Sequence, residues 1–64
     1  MNIFYLNDTQ ESVLTLSRIL MVRKSSPNLD IFFHGREHPI MFHFTSQESL
    51  EDNYERLIYA MSQL

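Results

Sequence analysis

The sequence predicts a small α+β domain spanning residues 1–64: an antiparallel four-stranded sheet in the order β-β-β-β-α, with one C-terminal amphipathic helix packed on one face. Three observations predict it. Residues Leu29 to Phe44 alternate as a β-hairpin. Residues Leu50 to Leu64 repeat their apolar positions at helical spacing. The β-branched and apolar content of the N-terminal third supplies the remaining strands.

The helix follows from capping and periodicity. Thr45-Ser46-Gln47-Glu48 has the form of a capping box, with Thr45 accepting from the Glu48 amide and the Glu48 carboxylate reaching back. Glu48, Glu51 and Asp52 fall in the first turns, where the positive end of the helix dipole favours acids. Leu50, Tyr54, Leu57, Met61 and Leu64 then form one stripe, widened by Ile58 and edged by Ala60. Glu51, Asp52, Glu55 and Arg56 take the opposite side, with Asp52 and Arg56 in favourable i, i+4 order. The expected span is Ser46 to Gln63.

The helix stripe requires a flat apolar partner, and the hairpin supplies one. With Gly35, Arg36, Glu37 and His38 as the turn, Phe33 faces Ile40, Ile31 faces Phe42 and Leu29 faces Phe44. These six side chains share one side of the sheet, the expected core. Pro39 cannot donate to a ladder, but the first residue of a strand tolerates that.

The stretch Val13 to Lys24 admits two readings. As a strand, Leu14, Leu16, Leu20 and Val22 line one side, interrupted at Arg18, where a bulge or kink near Ser17-Arg18 would explain the break. As a helix, Asp8-Thr9-Gln10-Glu11 offers a second capping box, and Arg23 with Lys24 would suit its C-terminus. The strand is preferred because the apolar residues spread around a helical wheel and Val13, Thr15, Ile19 and Val22 favour extended structure. The helical reading would give β-α-β-β-α. Met1 to Leu6 is expected as the first strand, Asn7 to Glu11 as its turn, and Ser25-Ser26-Pro27-Asn28 as the turn before the hairpin.

This arrangement generates a second sheet face. The expected outward rows are Arg23–Asp30–His43, Met21–Phe32–Met41 and Ile19–His34–Pro39, with Val22 opposite Ile31 and Leu20 opposite Phe33 on the core side. Met21, Phe32 and Met41 form an apolar band where solvent-facing residues are expected. Thioethers beside an aromatic make an adaptable contact surface, and an exposed cluster of this kind marks an interface unless the N-terminal strand covers it. Asp30 is expected between Arg23 and His43, where a carboxylate favours the charged imidazole. Met21, Phe32, Met41, Arg23, Asp30 and His43 are therefore the candidate partner interface, and a one-residue slip would undo it.

Composition bounds the function. The chain is 44% apolar and 20% charged, with no cysteine, a single glycine and a net charge of −3. A chain of this size hides only about 60% of its unfolded surface, and its core contributes ~3–5 kcal/mol. With disulfides and thiolate zinc sites excluded, efficient packing or oligomerisation remains, and a homodimer is expected. No apolar run reaches the roughly 20 residues needed to cross a bilayer. The N-terminus lacks a basic signal-peptide region, so a cytoplasmic location is expected. The net charge argues against general nucleic-acid binding, although Arg18, Arg23 and Lys24 are close in sequence.

Catalytic motifs are weak. His34, His38 and His43 suggest a pH- or metal-responsive hairpin, and His34-x-x-x-His38 has the spacing of a helical zinc site. Gly35 and Pro39 place that pair across a turn, however, and no Glu follows the first His as in a metalloprotease motif. A lone glycine precludes a glycine-rich phosphate loop, and nothing resembles a nucleophile elbow. The expectation is a non-enzymatic module without a cofactor, binding a protein partner or itself. The pattern Leu16-x-x-Ile19-x-x-Val22, followed by a strand pair and an amphipathic helix, is similar to small bacterial and phage proteins. It consists of core positions, so it carries no functional residue across.

Overall fold

The computed structural model describes residues 2–10 and 12–64. Five strands and one helix follow in chain order: β1 (Ile3–Leu6), β2 (Ser12–Thr15), β3 (Ile19–Ser25), β4 (Asn28–Phe33), β5 (Ile40–His43) and α1 (Gln47–Ser62). The α+β class and the C-terminal helix agree with the sequence. The single four-stranded sheet does not. β1 and β2 form a two-stranded antiparallel sheet, and β3, β4 and β5 form a three-stranded antiparallel one.

The division arises where the apolar alternation breaks. Leu16–Arg18 form a 3-10 turn between β2 and β3, so the expected long strand becomes two. Asn2 fixes this corner. Its carbonyl accepts from Leu16 N at 2.8 Å, its side-chain Oδ1 from Ser17 N at 2.8 Å, and its Nδ2 donates to Ser17 Oγ at 3.0 Å. Leu16 is buried at the bend. The helical alternative for Asp8 to Lys24 is thereby overturned; Glu11 of its capping box lies outside the described residues, as does Met1 of the expected first strand.

Two register corrections follow. The β4–β5 pairing is Ile31↔Ile40, Leu29↔Phe42 and Asn28↔His43, two residues from the expected alignment, because the connection runs from Phe33 to Ile40 rather than through four residues. A two-residue shift preserves side-chain parity. Leu29, Ile31, Phe42 and Phe44 are accordingly buried as expected, while Phe33 and Ile40 pack only partly. In β3 the ladder slips between Ile19 and Met21, so Leu20 and Met21 stand opposite the single Phe32. That bulge inverts parity locally: Ile19, expected outward, is 6% exposed, and Leu20, expected in the core, is 58% exposed. Beyond it, Val22↔Ile31 and Arg23↔Asp30 pair as expected.

The helix starts one residue later than the capping box suggested. Ser46, not Thr45, is the N-cap, with its Oγ accepting from Ser49 N at 3.1 Å. Leu50 and Leu57 are fully buried and Tyr54, Ala60 and Met61 pack against the core, whereas Leu64 projects into solvent. The core lies between α1 and the inner faces of both sheets, with Phe4, Leu6 and Leu14 contributed by β1 and β2. Asn53, fully buried between Leu50 and Leu57, ties the helix to the β1–β2 connection. Its Oδ1 accepts from Asn7 N at 2.9 Å, and its Nδ2 donates to Asn7 O at 3.1 Å and Ser49 O at 2.8 Å. Ser49 Oγ also donates to the carboxylate of Asp8, which holds a left-handed backbone with φ of 61°.

Candidate functional site

The outer face of the three-stranded sheet carries most of the residues expected at an interface. Met21 pairs with Phe32 across β3 and β4, but Met41 lies opposite Asp30, diagonal to Phe32. The expected straight band is therefore a bent patch, and the bulge adds Leu20 to it. Met21, Met41 and Leu20 are 47%, 62% and 58% exposed. The first strand does not act as a lid, because β1 pairs with β2 instead.

Asp30 lies within this patch on the central strand and is buried. Arg23 Nη2 and Nε donate to its Oδ2 at 2.8 and 3.2 Å, and the same guanidinium sits over the Phe32 ring at 5.3 Å. The other carboxylate oxygen, Oδ1, has no hydrogen-bond partner among the described residues. The expected contact from Asp30 to His43 is absent because of the register shift: His43 Nδ1 lies 3.1 Å from Asn28 Oδ1. His43 ends β5, and His34 and His38 belong to the connection before it. Among the described residues no three His, Asp or Glu side chains are grouped to hold a metal ion.

The three neighbouring cations also separate. Arg23 turns to Asp30, while Lys24 turns to the helix, 3.8 Å from Glu51 and over the Tyr54 ring at 4.9 Å. Arg18 is carried away by the 3-10 turn. The structure thus makes no shared basic patch of Arg18, Arg23 and Lys24.

A second feature was not expected. The facing edges of β2 and β5 are unpaired, and an open cleft of about 680 Å³ lies between them. Val13, Leu14 and Thr15 form one wall; Ile40 and Phe42, with Phe33 beside them, form the other. Arg18, His34 and Arg36 line it as well. The turn that carries the last two is closed by Arg36 N donating to Phe33 O at 3.2 Å, with Gly35 at φ of 84° in the position requiring a left-handed residue. His34 N donates to Arg18 O at 2.9 Å, which joins this turn to the 3-10 turn at one end of the cleft. At the other end Thr9 Oγ1 donates to His43 O at 2.6 Å. Sequence reasoning missed the cleft because Arg18 and Arg36 belong to different sheets' connections.

Comparison of the chain with protein-family models, with curated proteins and with solved structures finds no match. No helix among the described residues is long and apolar enough to cross a membrane.

Proposed function

We propose that this protein is a small cytoplasmic, non-enzymatic interaction module that pairs with a second copy of itself through the outer face of β3–β4–β5. The observation that carries this reading is the joint exposure of Leu20, Met21 and Met41 on one sheet face. Apolar surface of this kind gains by leaving water, and flexible methionines adapt to an identical face presented in another orientation. Charge favours the same face. Glu48, Glu51, Asp52 and Glu55 are all on α1, on the far side of the sheet, whereas Arg23 and Asp30 neutralise each other within the patch. Two copies of a net-negative chain meet with least repulsion sheet to sheet. A two-fold arrangement satisfies the requirement that one patch complement itself.

Sedimentation equilibrium tests the proposal. The expected result is a species of twice the 7.7 kDa chain mass, reduced to monomer in a Leu20→Lys/Met41→Lys variant whose helical circular dichroism is unchanged. Both substituted positions are solvent-exposed, so the fold tolerates them. A wild-type chain that stays monomeric at millimolar concentration, or a variant that remains dimeric, would overturn it.

A further inference from the structure

We propose that the cleft between β2 and β5 is a binding site for a small amphipathic carboxylate, whose charged head is held by Arg18 and Arg36 and whose apolar body lies against Leu14, Phe33 and Ile40. The charge pattern is the first argument. The chain has five Lys and Arg residues. Arg23, Lys24 and Arg56 each lie within 4 Å of a carboxylate, at 2.8, 3.8 and 3.9 Å. Arg18 and Arg36 have no acidic partner among the described residues, and both line this one cleft. A guanidinium presents its donors as a planar fork that matches a carboxylate in two parallel bonds, and two such forks with the His34 imidazole select an anion over a neutral or cationic head.

The walls supply the second argument. Phe33 and Ile40 fall on the core face by strand parity, yet they remain only partly buried, because β2 does not close against β5 above them. A ligand with an apolar body would complete that burial, which removes apolar surface from water. The cleft volume of about 680 Å³ falls within the roughly 300–1,000 Å³ of ordinary small-molecule sites.

The ends of the cleft decide between a small ligand and a peptide. An added peptide strand needs a free edge that runs past it. Here the Thr9–His43 hydrogen bond crosses the gap at one end, and at the other the chain turns out of β2 through Leu16–Arg18 with Arg18 lining the cleft, so the unpaired edges enclose a slot of limited length. A compact molecule fits that outline, and an extended chain does not.

The test is a titration of the uniformly ¹⁵N-labelled full chain with 4-phenylbutyrate, and with 4-phenylbutan-1-ol as its uncharged counterpart, followed by amide shifts. The expected shifts fall on Val13, Leu14, Thr15, Ile40 and Phe42, with the carboxylate bound about tenfold more tightly than the alcohol. An Arg18→Gln/Arg36→Gln variant with an otherwise native spectrum should lose that advantage. Equal binding of acid and alcohol, an unchanged affinity in the double variant, or no cleft shifts at millimolar ligand would overturn the proposal. Shifts confined to Met21 and Met41 would do the same, since they would place the ligand on the opposite surface.

Discussion

The carboxamide of Asn53 bonds both the amide and the carbonyl of Asn7, 46 positions away, with no solvent access to its side chain. It satisfies the backbone of the β1–β2 corner from within the helix. Replacing it by leucine keeps the volume but leaves Asn7 N, Asn7 O and Ser49 O without this partner. Unmade buried hydrogen bonds cost about 1–3 kcal/mol each, less where water reaches them. Asn53→Leu is expected to lower unfolding free energy by about 2–4 kcal/mol in urea titration. A loss within 0.5 kcal/mol of zero would mean that water replaces the contact freely.

The bulge in β3 makes a sharper test of register. Ile19 is buried and Leu20 exposed, whereas uninterrupted alternation would give the reverse. Ile19→Ala should therefore cost about 2–5 kcal/mol, as large-to-small core changes do. Leu20→Ala should stay within about 0.5 kcal/mol. The opposite ranking in chemical denaturation would remove the bulge.

These two sites show what the sequence makes legible. Parity survives a two-residue error, so the sequence places Leu29, Ile31 and Phe42 in the core while misplacing their cross-strand neighbours. Parity does not survive a bulge, and nothing local in Ile19-Leu20-Met21 reveals which of three apolar residues leaves the ladder. The break at Arg18 is visible in the sequence, but its consequence, a change of sheet, depends on Asn2 folding back to the Ser17 amide. Asn53 was discoverable: it sits three residues after Leu50 and four before Leu57, a polar side chain inside the apolar stripe. Of the interface residues, Met21 and Phe32 were paired correctly; Met41 kept its face and lost its row. The cleft was illegible because it depends on a pairing that does not form.

Arg23 and Asp30 predict an asymmetry between their variants. Asp30 is buried and Arg23 is more than half exposed, so removing the cation strands a carboxylate that already has one unpartnered oxygen. Arg23→Ala also uncovers the Phe32 ring. It should cost about 1–3 kcal/mol, while Asp30→Asn, which leaves no buried charge, should cost less. The double variant should be more stable than the sum of the single losses implies. Strict additivity in a double-mutant cycle would show that the two groups do not interact.

The helix start separates two adjacent hydroxyls. Ser46 Oγ accepts from Ser49 N, whereas Thr45 is exposed and outside the cap. Ser46→Ala should lose about 0.5–2 kcal/mol, and Thr45→Ala should be nearly silent. Equal losses would return the cap to the earlier residue.

Gly35 connects the backbone to the proposed ligand site. Its φ of 84° is disfavoured for side chains in general, yet among the described residues no atom lies within 4 Å of where a Cβ would sit. Any loss on substitution therefore comes from backbone conformation rather than from crowding. Gly35→Ala should cost about 1–2 kcal/mol, and Gly35→Asn less, because asparagine visits the left-handed region more readily. If the alanine variant instead flattens the turn to escape strain, stability changes little and Arg36 moves relative to the cleft. The two responses are distinguishable: strain lowers the denaturation midpoint with 4-phenylbutyrate affinity retained, and flattening lowers affinity with the midpoint retained. An alanine variant unchanged in both would show that neither the turn nor its arginine depends on the glycine.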